Sequence, residues 1–326
     1  MKVILVTGGA GFVGSYFIRY FLRRNKNYIL VNMDKLNHAS SLENLRDVED
    51  SPRHHFVKGD ICSQDLVNYI MKRYRPDYII NFAAESGVKR SLEHPLAFTQ
   101  SNVTGTLTLL EAARFIWGKN NFSGNRFVQV STDEVYGENN DQDFFTEESD
   151  LRPGNPYSAS KAAADLIARS YSKTFGMPVV ITRSCNNYGP YQNREKFVSK
   201  SIINALEDKP LTLYGDGSHT REWIHVQDHC VGIIRALFYG KSGEIYNVGT
   251  GEELSNADMA KKVLALLKKP EDMVETLADR PYHDKRHGLN SYKSRNNLSW
   301  SPKYKLEEGL RETILWYKNN RPWWDK

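Results

Sequence analysis

The sequence predicts an α/β fold built on a doubly wound parallel sheet of the Rossmann type, with a smaller C-terminal substrate domain. Three observations carry that expectation. Short, continuously apolar runs alternate with helical stretches through the first half of the chain, the pattern of strands covered on both faces. A glycine-rich turn, Thr7-Gly8-Gly9-Ala10-Gly11-Phe12-Val13-Gly14, follows the first run and opens the first helix. After about residue 185 the alternation gives way to dense turn signals: Asn187-Tyr188-Gly189-Pro190, Tyr214-Gly215-Asp216-Gly217 and Gly249-Thr250-Gly251.

In chain order, residues 2–6 read as a strand, 13–25 as a helix, 28–33 and 56–58 as strands, 64–74 as a helix and 78–82 as a strand. A long helix is expected over 96–115, a strand over 126–131, a helix over 156–175 and a strand over 179–183. Asn155 is a good N-cap and Pro156 suits the first helical position. Right-handed connections would wind these helices onto both faces of the sheet. Helices at 196–207, 257–267 and 306–319 follow. Residues 1–185 are expected to form the dinucleotide-binding domain, with 226–248 (segments 226–238 and 245–248) returning to it. Residues 186–225 and 249–326 form the substrate domain.

With 326 residues, 40% hydrophobic and 25% charged, the chain has the composition of a soluble globular protein with a substantial core. The net charge of +5 is spread among interleaved acids and bases, which argues against a nucleic-acid footprint and suits an anionic small substrate. Cys62, Cys185 and Cys230 are odd in number and far apart, so no disulfide framework or zinc spacing follows, and a reducing cytoplasm is expected. The chain opens directly on a strand rather than a signal peptide, and no apolar run approaches the ~20 residues of a membrane span.

The glycine turn has the strand before it and the helix after it that a dinucleotide cradle requires. There a diphosphate meets free N–H groups and the positive end of the helix. Asp34 ends the second strand, where a carboxylate binds ribose hydroxyls and repels a 2′-phosphate, so NAD is expected over NADP. Asp60 could receive the adenine edge or be a solvated turn residue. Tyr157 and Lys161 are four apart on one helix face. A lysine ammonium beside a phenol favours phenolate, so Tyr157 could take a proton as hydride leaves a carbinol. Ser131 and Thr132 end a strand at its carboxyl edge, where open α/β sheets bind ligands, and Thr132 can hydrogen-bond the reacting oxygen. Asp133 and Glu134 exceed what alcohol oxidation needs; a second acid and base suggest removal of one proton and expulsion of a hydroxyl, a dehydration.

These residues, together with Ser131-Thr132-Asp133-Glu134-Val135-Tyr136-Gly137, Tyr157-Ser158-Ala159-Ser160-Lys161, Asn186-Asn187-Tyr188-Gly189-Pro190-Tyr191-Gln192 and Arg221-Glu222-Trp223, resemble the extended short-chain dehydrogenase/reductases. Within them the chain is similar to the nucleotide-sugar 4,6-dehydratases over nearly its whole length. The resemblance implies that Tyr157, with Lys161 and Thr132, oxidises C4 using NAD, that Glu134 removes the C5 proton and that Asp133 protonates the departing C6 hydroxyl. Hydride then returns to C6. It implies a cofactor site of Gly8, Gly11, Phe12, Val13, Gly14, Asp34, Lys35, Asp60, Ile61, Ala83 and Ala84, with Tyr157 and Lys161. It implies a substrate site of Ser86, Gly87, Asn187, Lys196, Phe197, Thr212, Tyr214, Arg221, Asn256, Arg280 and His283, and no metal. Asn187 and Arg221 would take the diphosphate. Tyr214, Asn256, Arg280 and His283 would line the base and phosphate pocket. By analogy of fold, the helices at 96–115 and 156–175 would pair in a homodimer.

The chain departs from the pattern of members acting on dTDP-glucose. Gly87 and Lys89 stand where those usually carry His and Asp, Thr212 replaces a usual Pro, and Asn193, Arg194 and Phe197 also deviate. Space at Gly87 would suit an N-acetyl group at C2, as in UDP-N-acetylglucosamine; UDP-glucose and neutral drift are the alternatives. The competing functions are a nucleotide-sugar C4-epimerase, which the Asp133-Glu134 pair argues against, and a non-catalytic NAD-binding scaffold, which the intact Tyr157 and Lys161 argue against.

Overall fold

The computed structural model describes residues 1–139, 143–279 and 284–325. The first half alternates β1 (Lys2–Thr7), α1 (Phe12–Arg24), β2 (Tyr28–Asp34), β3 (His54–Lys58), α2 (Gln64–Tyr74) and β4 (Tyr78–Asn81). It continues through two short helices, α3 (Val88–Glu93) and α4 (Pro95–Phe98), then α5 (Gly105–Trp117), β5 (Arg126–Thr132), α6 (Pro156–Phe175) and β6 (Val179–Ser184). The second half carries β7 (Asn186–Tyr188), α7 (Phe197–Leu206), β8 (Leu211–Tyr214), β9 (Thr220–His225), α8 (Val226–Tyr239) and β10 (Ile245–Val248). Last come β11 (Glu253–Ser255), α9 (Asn256–Leu267), β12 (Val274–Leu277), α10 (Tyr292–Asn297), α11 (Leu306–Asn319) and α12 (Arg321–Trp324).

Seven parallel strands form the main sheet in the order β10-β6-β5-β4-β1-β2-β3. The order reverses between β1 and β4, which opens a crevice at their carboxyl ends. Side chains of one strand serve both faces. Leu5 packs with Val67, Ile70, Leu109, Leu110 and Ala168 of α2, α5 and α6. Its neighbours Ile4 and Val6 pack on the opposite side with Phe17, Ile18 and Phe21 of α1 and Ile233 and Leu237 of α8. This two-sided burial is why these strands read as unbroken apolar runs.

Two smaller sheets lie beyond, β11-β9-β7 and the parallel pair β12-β8. A separate core of Val198, Ile202, Met259, Val263, Leu310 and Ile314 joins α7, α9 and α11. No helix among the described residues is long and apolar enough to cross a membrane.

One local expectation changes. The single helix expected over 96–115 is interrupted: Thr99–Thr104 forms a π-helical turn between α4 and α5. Inside that turn Asn102 is buried. It accepts from the Glu85 N–H at 2.8 Å and donates to Ser160 Oγ at 2.8 Å, so the local bulge turns a helix side chain toward the crevice wall. Residues 226–238 reach the sheet as a helix packed on it, while 245–248 join it as a strand beside β6.

Candidate active site

A cleft of about 340 Å³ runs along the carboxyl ends of β1, β2, β4, β5 and β6. At one end is the glycine turn. Gly8 sits at φ +69°, and a Cβ there would lie 2.6 Å from the Ala83 nitrogen. A Cβ on Gly14 would lie 2.3 Å from the Gly8 carbonyl oxygen, so only glycine lets α1 start this close to β1. Gly11 is the N-cap of α1 and no side chain caps that helix, which leaves its first N–H groups facing the cleft for a diphosphate. Asp34 accepts from the Ala10 N–H at 2.9 Å, the Leu36 N–H at 2.8 Å and Ser40 Oγ at 2.9 Å. A carboxylate has about four acceptor sites, so room remains for a ribose hydroxyl. Lys35 meets Glu85 at 2.8 Å and Asp60 at 3.8 Å. Asp60 also caps its own turn through the Cys62 N–H at 2.9 Å. Phe12, Val13, Ile61, Ala83 and Ala84 complete this end, which fits a dinucleotide.

Toward the middle of the cleft stand Thr132, Asp133, Glu134, Tyr157 and Lys161. Asn155 caps α6 by accepting from the Ser158 N–H at 3.0 Å, while Ser158 Oγ accepts the Asn155 N–H, a complete capping box that fixes the turn holding Tyr157. Thr132 ends β5 and caps the single turn that follows, accepting from the Glu134 N–H at 3.3 Å. Its own hydroxyl donates to Asp133 Oδ1 at 3.0 Å. Behind them Asp165, fully buried, accepts from Ser131 Oγ at 2.9 Å and from Arg183 Nε at 3.0 Å.

Burial dominates the electrostatics. It raises the Asp133 carboxyl, opposed first by His287 and then by the Thr132 hydrogen bond. It also raises Glu134, opposed first by His287, with Asp133 pushing further upward. The two acids therefore share one upward direction. The expectation that Lys161 lowers Tyr157 is corrected. Burial, then Glu134 and Asp133, hold the phenol above its usual range. Lys161 is itself pulled down to about 8 by burial and donates to the Val130 carbonyl at 2.7 Å.

At the far end Ser86, Asn187, Lys196 and Phe197 line the cleft. Asn187 Oδ1 meets His229 Nδ1 at 2.8 Å. Gly87, next to Ser86 but outside the cleft lining, would place a Cβ with only Lys196 Nζ near it, at 3.9 Å, so there is space beside it. Thr212, Tyr214, Arg221 and Asn256 stand outside the cleft lining. Thr212 and Tyr214 are on β8, Arg221 is on β9, and Asn256 opens α9, its N–H bonded to the His219 carbonyl at 2.9 Å. Arg221 donates to the Asp284 carbonyl at 2.6 Å and the Lys285 carbonyl at 3.2 Å. Arg280 and His283 lie outside the described residues. Sequence reading missed Asp165, Arg183, Asn102, His287 and Asp284 as parts of this site; none belongs to a local motif. It also missed Glu222, whose carboxyl burial pushes up to about 7 while it accepts from the Gly251 N–H at 2.7 Å and the Leu289 N–H at 2.8 Å.

Residues 5–313 match the family described as GDP-mannose 4,6 dehydratase. The chain belongs to that family. Among curated relatives, dTDP-glucose 4,6-dehydratase of Neisseria meningitidis is 42% identical over 99% of this chain and 95% of that protein. The low-salt glycan biosynthesis protein Agl12 of Haloferax volcanii is 45% identical over 96% of this chain and 98% of that protein. The crystal structure of dTDP-glucose 4,6-dehydratase from Bacillus anthracis in complex with NAD superposes with a TM-score of 0.92 at 43% identity, covering 100% of this chain and 99% of that one.

Proposed function

We propose that this family member is an NAD-dependent nucleotide-sugar 4,6-dehydratase, a hydro-lyase that converts dTDP-glucose to its 4-keto-6-deoxy product. The observation that carries the reading is the convergence of Tyr157, Lys161, Thr132, Asp133 and Glu134 in one cleft whose other end is an uncapped helix start behind glycines.

NAD, when bound, supplies the hydride acceptor and donor. Gly8, Gly11, Phe12, Val13 and Gly14 hold its diphosphate; Asp34 holds a ribose, and Lys35, Asp60, Ile61, Ala83 and Ala84 complete the adenine end. Tyr157 takes the O4 proton while Thr132 orients O4. Lys161, four residues along the same helix, is anchored on the Val130 carbonyl. Glu134, with its carboxyl raised by burial, is a stronger base than an exposed glutamate and takes the now acidic C5 proton. Asp133, its carboxyl also raised by burial, gives its proton to the leaving C6 hydroxyl. Ser86, Gly87, Asn187, Lys196 and Phe197 face the sugar and diphosphate. Thr212, Tyr214, Arg221, Asn256, Arg280 and His283 serve the base and phosphates.

Space beside Gly87 favours a second substrate reading, UDP-N-acetylglucosamine, whose acetamido group it would admit. Turnover of dTDP-glucose, UDP-glucose and UDP-N-acetylglucosamine, read by alkali-induced absorbance of the 4-ketone, tests both readings. A ketone from dTDP-glucose is expected. A preference for the acetamido sugar moves the substrate; a C4 epimer without ketone overturns the dehydratase reading.

A homodimer through α5 and α6 would cover apolar side chains now exposed, among them Leu107, Phe115 and Leu166. Light scattering of the purified protein reads its mass directly. The three free cysteines fit work in a reducing cytoplasm.

A further inference from the structure

Resting on the dehydratase reading, the proton count of a turnover leaves a debt. Hydride leaves C4 and returns at C6, and Glu134 returns the C5 proton it took, so carbon and electrons balance. Tyr157, however, ends with the proton of O4, and Asp133 ends without the proton that left in water. Asp133 must be recharged before the next turnover, yet it is only 2% exposed.

Beside it lies a histidine that no step above uses. His287 is 1% exposed, and its Nε2 stands 3.2 Å from Asp284 Oδ2. That contact assigns the N–H to Nε2 and leaves a lone pair on Nδ1. Among the described residues, this Nδ1 is buried with no hydrogen-bond partner, and so is Asp133 Oδ2. One is an acceptor lacking a donor; the other, on a protonated Asp133, is a donor lacking an acceptor. Buried polar atoms rarely stay unpaired, so two complementary ones on side chains that interact electrostatically mark an exchange route, direct or through one water. His287 is close enough to act on Asp133 and Glu134 alike, ahead of Arg221 in both cases. The Asp284 side chain is 13% exposed against 2% for His287, so the pair leads outward.

We propose that the His287–Asp284 pair returns to Asp133 the proton spent in each dehydration. A proton from water adds to the Nδ1 lone pair, giving an imidazolium held by Asp284; its Nδ1–H then forms the O–H of Asp133, and the ring returns to its Nε2–H form. Tyr157, half-buried in the cleft, releases its extra proton to water, so one proton enters and one leaves per cycle. His287 acts only through Asp133, as a positioning and supply residue.

The test compares the single-turnover rate with steady-state kcat on dTDP-glucose for the NAD-loaded enzyme and for His287→Gln, which keeps an N–H toward Asp284 but cannot pass a proton. Asp284→Asn is the second variant, and circular dichroism with Tm checks folding. The first turnover uses Asp133 already protonated. It should stay within about twofold of wild type while kcat falls roughly tenfold or more, giving a burst of one ketone per site. Imidazole should restore kcat in His287→Gly. Equal loss of both rates in folded variants, or loss of neither, overturns the relay. If the wild type makes no ketone from any of the three sugar nucleotides, the dehydratase reading fails instead.

Discussion

Replacing Asp133 by Asn isolates the elimination step. Asn has nearly the same volume and can accept the Thr132 hydrogen bond that Asp133 Oδ1 now takes at 3.0 Å. Burial works against the charged carboxyl, so a neutral amide of the same shape in a site 2% exposed should cost no more than the roughly 0.5–3 kcal/mol of an ordinary point substitution. The proton, however, is lost: an amide cannot protonate a leaving hydroxyl. General acid catalysis is worth about 10²–10⁴ in rate, so the barrier should rise by about 2.7–5.4 kcal/mol. Tyr157, Lys161 and Thr132 remain, so C4 oxidation should proceed and the enzyme should stall with its cofactor reduced. Stopped-flow absorbance of reduced nicotinamide on mixing with substrate should show a long-lived signal in Asp133→Asn, while ketone product appears 10²–10⁴ times more slowly. Unchanged kcat would refute the assignment. So would a variant that neither reduces the cofactor nor loses stability, because Asp133 would then act before elimination.

Three further outcomes follow from the same structure. Gly8→Ala places a Cβ 2.6 Å from the Ala83 nitrogen at φ +69°; it should cost about 1–3 kcal/mol in strain alone, read by thermal melting, and lower NAD affinity by titration calorimetry. Asp165→Ala strands Arg183, 1% exposed, and should cost about 3–5 kcal/mol in urea unfolding; a loss below 1 kcal/mol would mean the pair is dispensable. His225 and His229 are held neutral by burial, with pKa values near 3, so the unfolded chain binds more protons below its ordinary histidine pKa. Their contribution is complete above about pH 6.5 and is lost as pH falls toward 3; going from 6.5 to 5 should cost about 2 kcal/mol for each. Urea midpoints that do not move between pH 7 and pH 5 would refute it.

Much of the site was legible because its signals are local. A glycine turn spans eight residues, a Tyr and a Lys four apart share a helix face, and a capped helix start needs only Asn155-Pro156 and Ser158. Strand identity was legible for the same reason: apolar runs buried on both faces need no knowledge of their partners. The interruption of the helix at Thr99–Thr104 was not, because nothing in Thr-Gln-Ser-Asn-Val-Thr opposes an ordinary helix turn. What holds it open is the pull of Asn102 toward Glu85 and Ser160, contacts made across the fold.

The sequence by itself determined the sheet architecture, the cofactor cradle and the pairing of an oxidation site with two extra carboxyls, since each rests on neighbours along the chain. Only the tertiary structure decided how those groups are tuned. Lys161 spends its ammonium on the Val130 carbonyl, Tyr157 is held high beside two acids, and Asp133 and Glu134 are raised together. These follow from desolvation, a property of everything packed around a group. Likewise His287 reaches Asp133 and Glu134 only because a late segment of the chain bridges back to Phe145 and Thr220, and no spacing in the sequence announces that.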